Sequence, residues 1–115
     1  MRKVVADAIA QIGVKTVVTF DRHGVSSHAN HIAVSRALEG VTEVYMLVTY
    51  PMYQKYNPFT AGRVGSTQYR SGLHGWRRAQ LAMTQGHRSQ MRWFRWAWII
   101  LSRYMLTNDY YHYPL

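Results

Sequence analysis

Two histidines three residues apart, His28 and His31, lie in the stretch GVSSHANH (residues 24–31), with Asp21 as the one carboxylate close by. Residues at i and i+3 project to one side of a helical turn, so both imidazoles can address one bound ion or one substrate atom. Imidazole ligates zinc and can donate or accept a proton near neutral pH. The same rings also suit an ordinary polar loop in which Asn30 is a turn or capping residue, because no cysteine and no second acidic ligand stands beside them. On residue types alone the pair is a weak signal, and both readings stay open.

The surrounding elements must hold this pair where a ligand can reach it. Val5, Ile9 and Ile12 recur at i, i+4 and i+7 ahead of Gly13, which predicts an amphipathic helix and its stop. VKTVVTF (14–20) predicts a strand covered on both faces. Ser27 is positioned to cap a helix carrying Ile32, Val34 and Leu38 up to Gly40, and VYMLVTY (44–50) predicts a second buried strand ending at Pro51. Strand, loop, helix and strand form a βαβ unit. Residues 21–28 then lie beyond the carboxyl end of the first strand, where open α/β sheets form ligand crevices. Periodicity vanishes over 51–75, which predicts a long irregular loop. A short helix over 76–85, ended by Gly86, and a longer one from about Arg88 to Met105 follow. The expected fold class is α/β, with 1–115 as a single domain.

Composition narrows the partners. A formal charge of +9 over 115 residues points to polyanions, and the absence of cysteine removes thiolate metal sites, cysteine nucleophiles and disulfides and favours a reducing, cytosol-facing setting. No apolar run approaches the roughly 18 residues of a spanning helix. At 100° per residue, Arg88, Arg92, Arg95 and Arg103 fall within about 80° of one another, opposite Phe94, Ala97, Ile100, Leu101, Tyr104 and Met105. Such a helix can pack on a core with its arginines in solvent, or lie in a membrane interface with Arg92, Trp93, Arg95 and Trp96 on lipid. Nucleic acid is a third partner for a basic helix, but no RNP-type strand motif, KH loop or zinc finger is present, so none is expected.

TFDRHGVSSHANH (19–31) resembles the TFDxxGVSGHxNH segment of the N-acetylglucosaminylphosphatidylinositol de-N-acetylases, the PIG-L branch of the LmbE-like zinc-dependent deacetylases. HRSQMRWFRWAWIILSRYM (87–105) resembles their carboxyl-terminal HxSQxxWFRxxxIxxSRYM block, with Asn108 following it. The resemblance implies a partial Rossmann-like, LmbE-type layer fold with a βαβ unit and a C-terminal amphipathic helix. It implies de-N-acetylation of the glycolipid N-acetylglucosaminyl-phosphatidylinositol in GPI-anchor biosynthesis, at the cytosolic face of the endoplasmic reticulum membrane, with Zn2+ activating water. Within that scheme His31 is the metal ligand, His28 the catalytic group that stabilises or protonates the tetrahedral intermediate, and Asp21 and Asn30 support the site. The family's His-Pro-Asp-Asp-Glu motif, which supplies further ligands and the general base, has no match here. The chain therefore resembles the carboxyl-terminal half of a fuller protein that also carries an amino-terminal membrane anchor, and its zinc ligand set is incomplete. Ser27 stands where the family has glycine, so a positive φ there would strain the loop. The alternative reading is a non-catalytic basic module that binds anionic lipid, with RNA a weaker candidate.

Overall fold

The computed structural model describes residues 1–60 and 62–114; Ala61, within the stretch expected to be irregular, and Leu115, the end of the expected single domain, lie outside the described residues. The elements run α1 (Arg2–Ile12), β1 (Thr16–Phe20), one distorted turn α2 (Gly24–Ser27), α3 (Ala29–Leu38), β2 (Glu43–Leu47) and α4 (Met52–Lys55). They continue with β3 (Thr67–Arg70), α5 (Leu73–Leu81), α6 (Trp93–Leu101) and β4 (Thr107–Tyr113). The strands are ordered β1-β2-β4-β3, with β1 and β2 parallel and β2 and β4 antiparallel, so the fold is mixed α/β and contains the expected βαβ unit. The chain forms two compact units, one of Met1–Thr49 with Val64–Thr67 and Asp109–Leu115, the other of Tyr50–Arg63 and Gln68–Asn108.

Three sequence expectations change here. The 51–75 stretch is not wholly irregular: it carries α4, β3 and the start of α5. The chain also closes on β4, whose TNDYYHY sequence sets Asn108 and Asp109, poor strand formers, ahead of the four residues Tyr110–Tyr113 that pair with β2. The strand of 14–20 is not covered on both faces. Val17 and Thr19 stand in register with Val44 and Met46, and α1 and α3 pack on that side through Val5, Ile9, Val34 and Leu38. Burying side chains such as Leu38, Val44 and Met46 stabilises by about 1.5–3 kcal/mol each. On the opposite face, Val18 is 64% exposed and Tyr45 and Leu47 are half-buried. Near-continuous apolar character in β1 therefore signals an end strand with one helical layer.

That open face holds a polar clip across three strands. The Thr16 hydroxyl donates to Glu43 Oε2 at 2.5 Å, His112 Nε2 donates to Glu43 Oε1 at 2.7 Å, and the His112 ring stacks on Tyr45 at 4.4 Å between centroids. The hydrogen bond from Thr16, followed by the one from His112, holds the Glu43 carboxyl below its ordinary value.

The α2 turn is where the backbone departs furthest from regular geometry. Gly24, Val25 and Ser27 take φ values of 65°, 66° and 58°. Only glycine adopts this region without cost, and a β-branched residue there is strained. Thr49 holds the turn in place, its Oγ1 accepting from the Val25 N–H at 2.9 Å. Ser27 consequently does not cap α3. His28 does so, with extended φ and ψ of −71° and 124° and a side chain that accepts from the Asn30 N–H.

Two outcomes follow from this geometry. Ser27→Gly should raise stability by about 1 kcal/mol, and Gly24→Ala should lower it by more, because its new Cβ would lie 3.0 Å from Ile32 Cγ1 and 3.1 Å from His31 Cβ as well as in the left-handed region. Urea denaturation of the two variants at neutral pH checks both signs. A carboxyl whose folded pKa is depressed stabilises the fold above the unfolded value of 4.5, and that stability is lost as pH falls through the lower folded value. The urea midpoint of the native chain should thus drop on acidification below 4.5, and Glu43→Gln should show a smaller drop over the same interval.

Candidate functional site

Beyond the carboxyl end of β1, Asp21 is 6% exposed and accepts four hydrogen bonds. Its Oδ2 takes the Thr49 N–H at 2.7 Å; its Oδ1 takes the Thr49 hydroxyl at 2.5 Å, the His23 N–H at 3.0 Å and the Gly24 N–H at 3.1 Å. Three of the four donors crowd Oδ1 and one reaches Oδ2, so the carboxylate is engaged as a structural acceptor. The Asp21 N–H in turn donates to the Leu47 carbonyl at 3.1 Å, extending the parallel ladder by one bond. Asp21 therefore ties the two parallel strand ends together and folds the turn back over them.

The turn delivers Gly24 beneath His31. The His31 Nδ1 lies 3.0 Å from the Gly24 carbonyl oxygen. A carbonyl only accepts, so Nδ1 carries the proton and Nε2 keeps its lone pair. The ring is clamped on one side by Phe20, with centroids 3.9 Å apart and planes 12° from parallel, and on the other by His28 at 4.7 Å. His28 has the reverse arrangement. Its Nδ1 accepts the Asn30 N–H at 3.3 Å as the cap of α3, which leaves the proton of the neutral ring on Nε2. The stacked pair thus presents one lone pair and one N–H. His31 is half-buried and His28 exposed.

Of the residues the sequence singled out, Asp21, His28, Asn30 and His31 come together in the first unit, Asn30 through its backbone N–H. Thr49 and Phe20 were not singled out, and both hold the site. Thr49 bridges Asp21 and Val25, and Phe20 supports the His31 ring. Their signal was position, at the carboxyl ends of two parallel strands. A cavity of about 370 Å³ opens beside Asp21 and Thr49, lined also by His23, Met46, Tyr111 and Tyr113, and neither site histidine lines it. For a zinc ion, His31 has the orientation and protonation that ligation requires, its second nitrogen being held by a carbonyl. Among the described residues there is no group of three His, Asp or Glu side chains that could hold a metal, so they do not form a complete zinc site.

The residues expected on lipid belong to the second unit. The one-sided arginine stripe over 88–105 is not formed, because the helix spans only Trp93–Leu101, with extended backbone at Arg92 and Ser102. Arg88 sits in a separate turn, and Arg95 is half-buried and donates to the Gln90 carbonyl. Arg103 is 1% exposed, donating to the Thr60 and Gly62 carbonyls at 2.6 and 2.9 Å with its guanidinium over the Tyr50 ring. Trp93 and Trp96 are exposed.

Curated proteins match this chain over most of its length. It is 32% identical over 122 aligned positions to a Schizosaccharomyces pombe protein named "Probable N-acetylglucosaminyl-phosphatidylinositol de-N-acetylase", covering 92% of this chain and 49% of that one. A Bos taurus N-acetylglucosaminyl-phosphatidylinositol de-N-acetylase is 32% identical over 110 positions, covering 84% of this chain and 44% of the relative. One from Arthroderma benhamiae is 54% identical over 37 residues, 32% of this chain and 10% of its own. No family profile and no solved structure matches the chain. The chain is similar over most of its length to N-acetylglucosaminyl-phosphatidylinositol de-N-acetylases and spans about half the length of the curated relatives it matches.

Proposed function

We propose that these residues form part of the active site of a zinc-dependent de-N-acetylase acting on N-acetylglucosaminyl-phosphatidylinositol in GPI-anchor biosynthesis, at the cytosolic face of the endoplasmic reticulum. In this reading the remaining metal ligands and the general base come from polypeptide outside the 115 residues. The observation that carries it is the opposed protonation of two stacked histidines, an available lone pair on His31 and an available N–H on His28. The names of the relatives supply the substrate class.

Zinc, when bound, supplies Lewis-acid polarisation and a water of lowered pKa. The residues present have separate tasks beside it. His31 Nε2 is the ligand, and its ring is fixed by Gly24 and Phe20 so that binding costs little reorientation. His28 Nε2–H donates to the acetamide oxygen as negative charge gathers there on attack at the carbonyl carbon. A donor aimed at a developing oxyanion contributes about 10²- to 10³-fold in rate. Asp21 acts through the backbone as a positioning residue, since its oxygens accept from Thr49, His23 and Gly24.

Long-range proton–nitrogen NMR of the chain should show His31 protonated at Nδ1 and His28 at Nε2; the same tautomer at both positions overturns the division of roles. The chain alone should release no acetate from the glycolipid. In a chimera where residues 1–115 replace the matching span of the Schizosaccharomyces pombe relative, His31→Ala should remove bound zinc. In the same chimera His28→Ala should keep the metal and lower turnover by about 10²- to 10³-fold. Equal loss of zinc in both variants would overturn the assignment.

A further inference from the structure

We propose that α6 lies flat in the interface of an anionic membrane leaflet, with its apolar arc toward the acyl chains. The inference does not depend on the deacetylation reading, because it rests on one helix surface and on where the charges of the chain fall. At 100° per residue, Trp96, Ile100, Trp93, Ala97, Leu101, Phe94 and Trp98 follow one another around about 200° of the helix, and all seven are exposed. The remaining side carries buried Ile99 and half-buried Arg95. An uninterrupted exposed arc of large apolar side chains is rare on a protein that meets only water. Tyr56, Phe94, Ala97, Trp98 and Leu101 also line an open, apolar depression of about 380 Å³ on this surface, of a chemistry that suits part of an acyl chain.

Charge identifies the kind of surface the arc meets. All five acidic residues, Asp7, Asp21, Glu39, Glu43 and Asp109, fall in the first unit, where five Lys and Arg balance them. The second unit holds the other nine Lys and Arg and no carboxylate side chain, so the whole formal charge of +9 resides in the unit that carries α6. Arg88 and Arg92 are exposed just ahead of the helix, and Trp93 beside them is 86% exposed. With the helix flat, these exposed arginines supply cations for anionic phosphates at the level where indoles such as Trp93 reside. Nucleic acid fits this surface less well: bases would stack on the Trp93, Phe94, Trp96 and Trp98 rings but would leave Ile100 and Leu101, on either side of Trp93, facing water.

The test is sedimentation of the full chain with phosphatidylcholine vesicles, with and without phosphatidylinositol, at low and high salt, while tryptophan emission is followed. The chain should bind the phosphatidylinositol vesicles, shift its emission to the blue and be released by salt. Arg88→Gln with Arg92→Gln should weaken binding about ten- to thirtyfold and flatten the salt dependence. Ile100→Glu should weaken it at least about tenfold. Both sites are exposed, so thermal melts should be close to native for both variants, and a melt unchanged beside lost binding separates contact from folding. Four results would overturn the proposal: no binding to phosphatidylinositol vesicles, equal binding to neutral ones, complete displacement by single-stranded RNA, or self-association that Ile100→Glu abolishes while vesicle binding persists.

Discussion

Four donors converge on the buried Asp21 carboxylate, and through them the carboxyl ends of β1 and β2 and the turn above them share one arrangement. Each of those groups would otherwise need water or another acceptor, and a buried donor left unpaired costs about 1–3 kcal/mol. The dependence runs outward from there. Asp21 fixes the Gly24 N–H and accepts from the Thr49 hydroxyl, and that hydroxyl accepts from the Val25 N–H. The Gly24–Val25 peptide so held aims the Gly24 carbonyl at His31, where it decides which nitrogen keeps its lone pair. A carboxylate engaged in structural hydrogen bonds thereby sets the chemistry of an imidazole it does not touch.

The same turn stores strain. Val25 and Ser27 both occupy the left-handed region, and for a β-branched residue this persists only where neighbouring bonds over-determine it. The Thr49 hydroxyl supplies part of that constraint, accepting from Val25 while donating to Asp21. Gly24 is needed for two reasons, its φ of 65° and the closeness of the His31 and Ile32 side chains. A relaxed turn would be more stable locally, but it would withdraw the Gly24 carbonyl from the histidine it orients.

Much of this was legible in the sequence, and the rest fails for identifiable reasons. The amphipathic repeat of Val5, Ile9 and Ile12 with Gly13 gives α1 and its left-handed cap, because helix period and glycine punctuation are local properties. The βαβ unit and the gathering of Asp21, His28 and His31 beyond β1 follow from topology, which composition conveys adequately. Protonation was not legible, since it depends on a carbonyl seven residues from His31 and on an amide two residues from His28. Nor were the bounds of the C-terminal helix. Its arginine stripe assumed one uninterrupted helix, and extended backbone at Arg92 and Ser102 leaves Arg103 free to turn inward onto Tyr50 and the Thr60 and Gly62 carbonyls. β4 was missed because its strand character comes from pairing partners distant in sequence.

The cap of α3 shows how local stability and site chemistry meet in one side chain. Serine, threonine, aspartate and asparagine are the stronger helix caps, and Ser27 is only one residue away. Its φ of 58° keeps it out of the cap position, which requires extended backbone, and hands that position to His28. Imidazole makes the longer bond to the Asn30 N–H, at 3.3 Å, yet it has a second nitrogen that the stronger caps lack. Fixing one nitrogen on the helix determines what the other can do, so the first turn of α3 acts as the support for a hydrogen-bond donor. The Phe20 and His31 rings stacked behind it limit rotation of that donor. A stronger cap at this position would add stability to the helix and remove the group that faces outward from it.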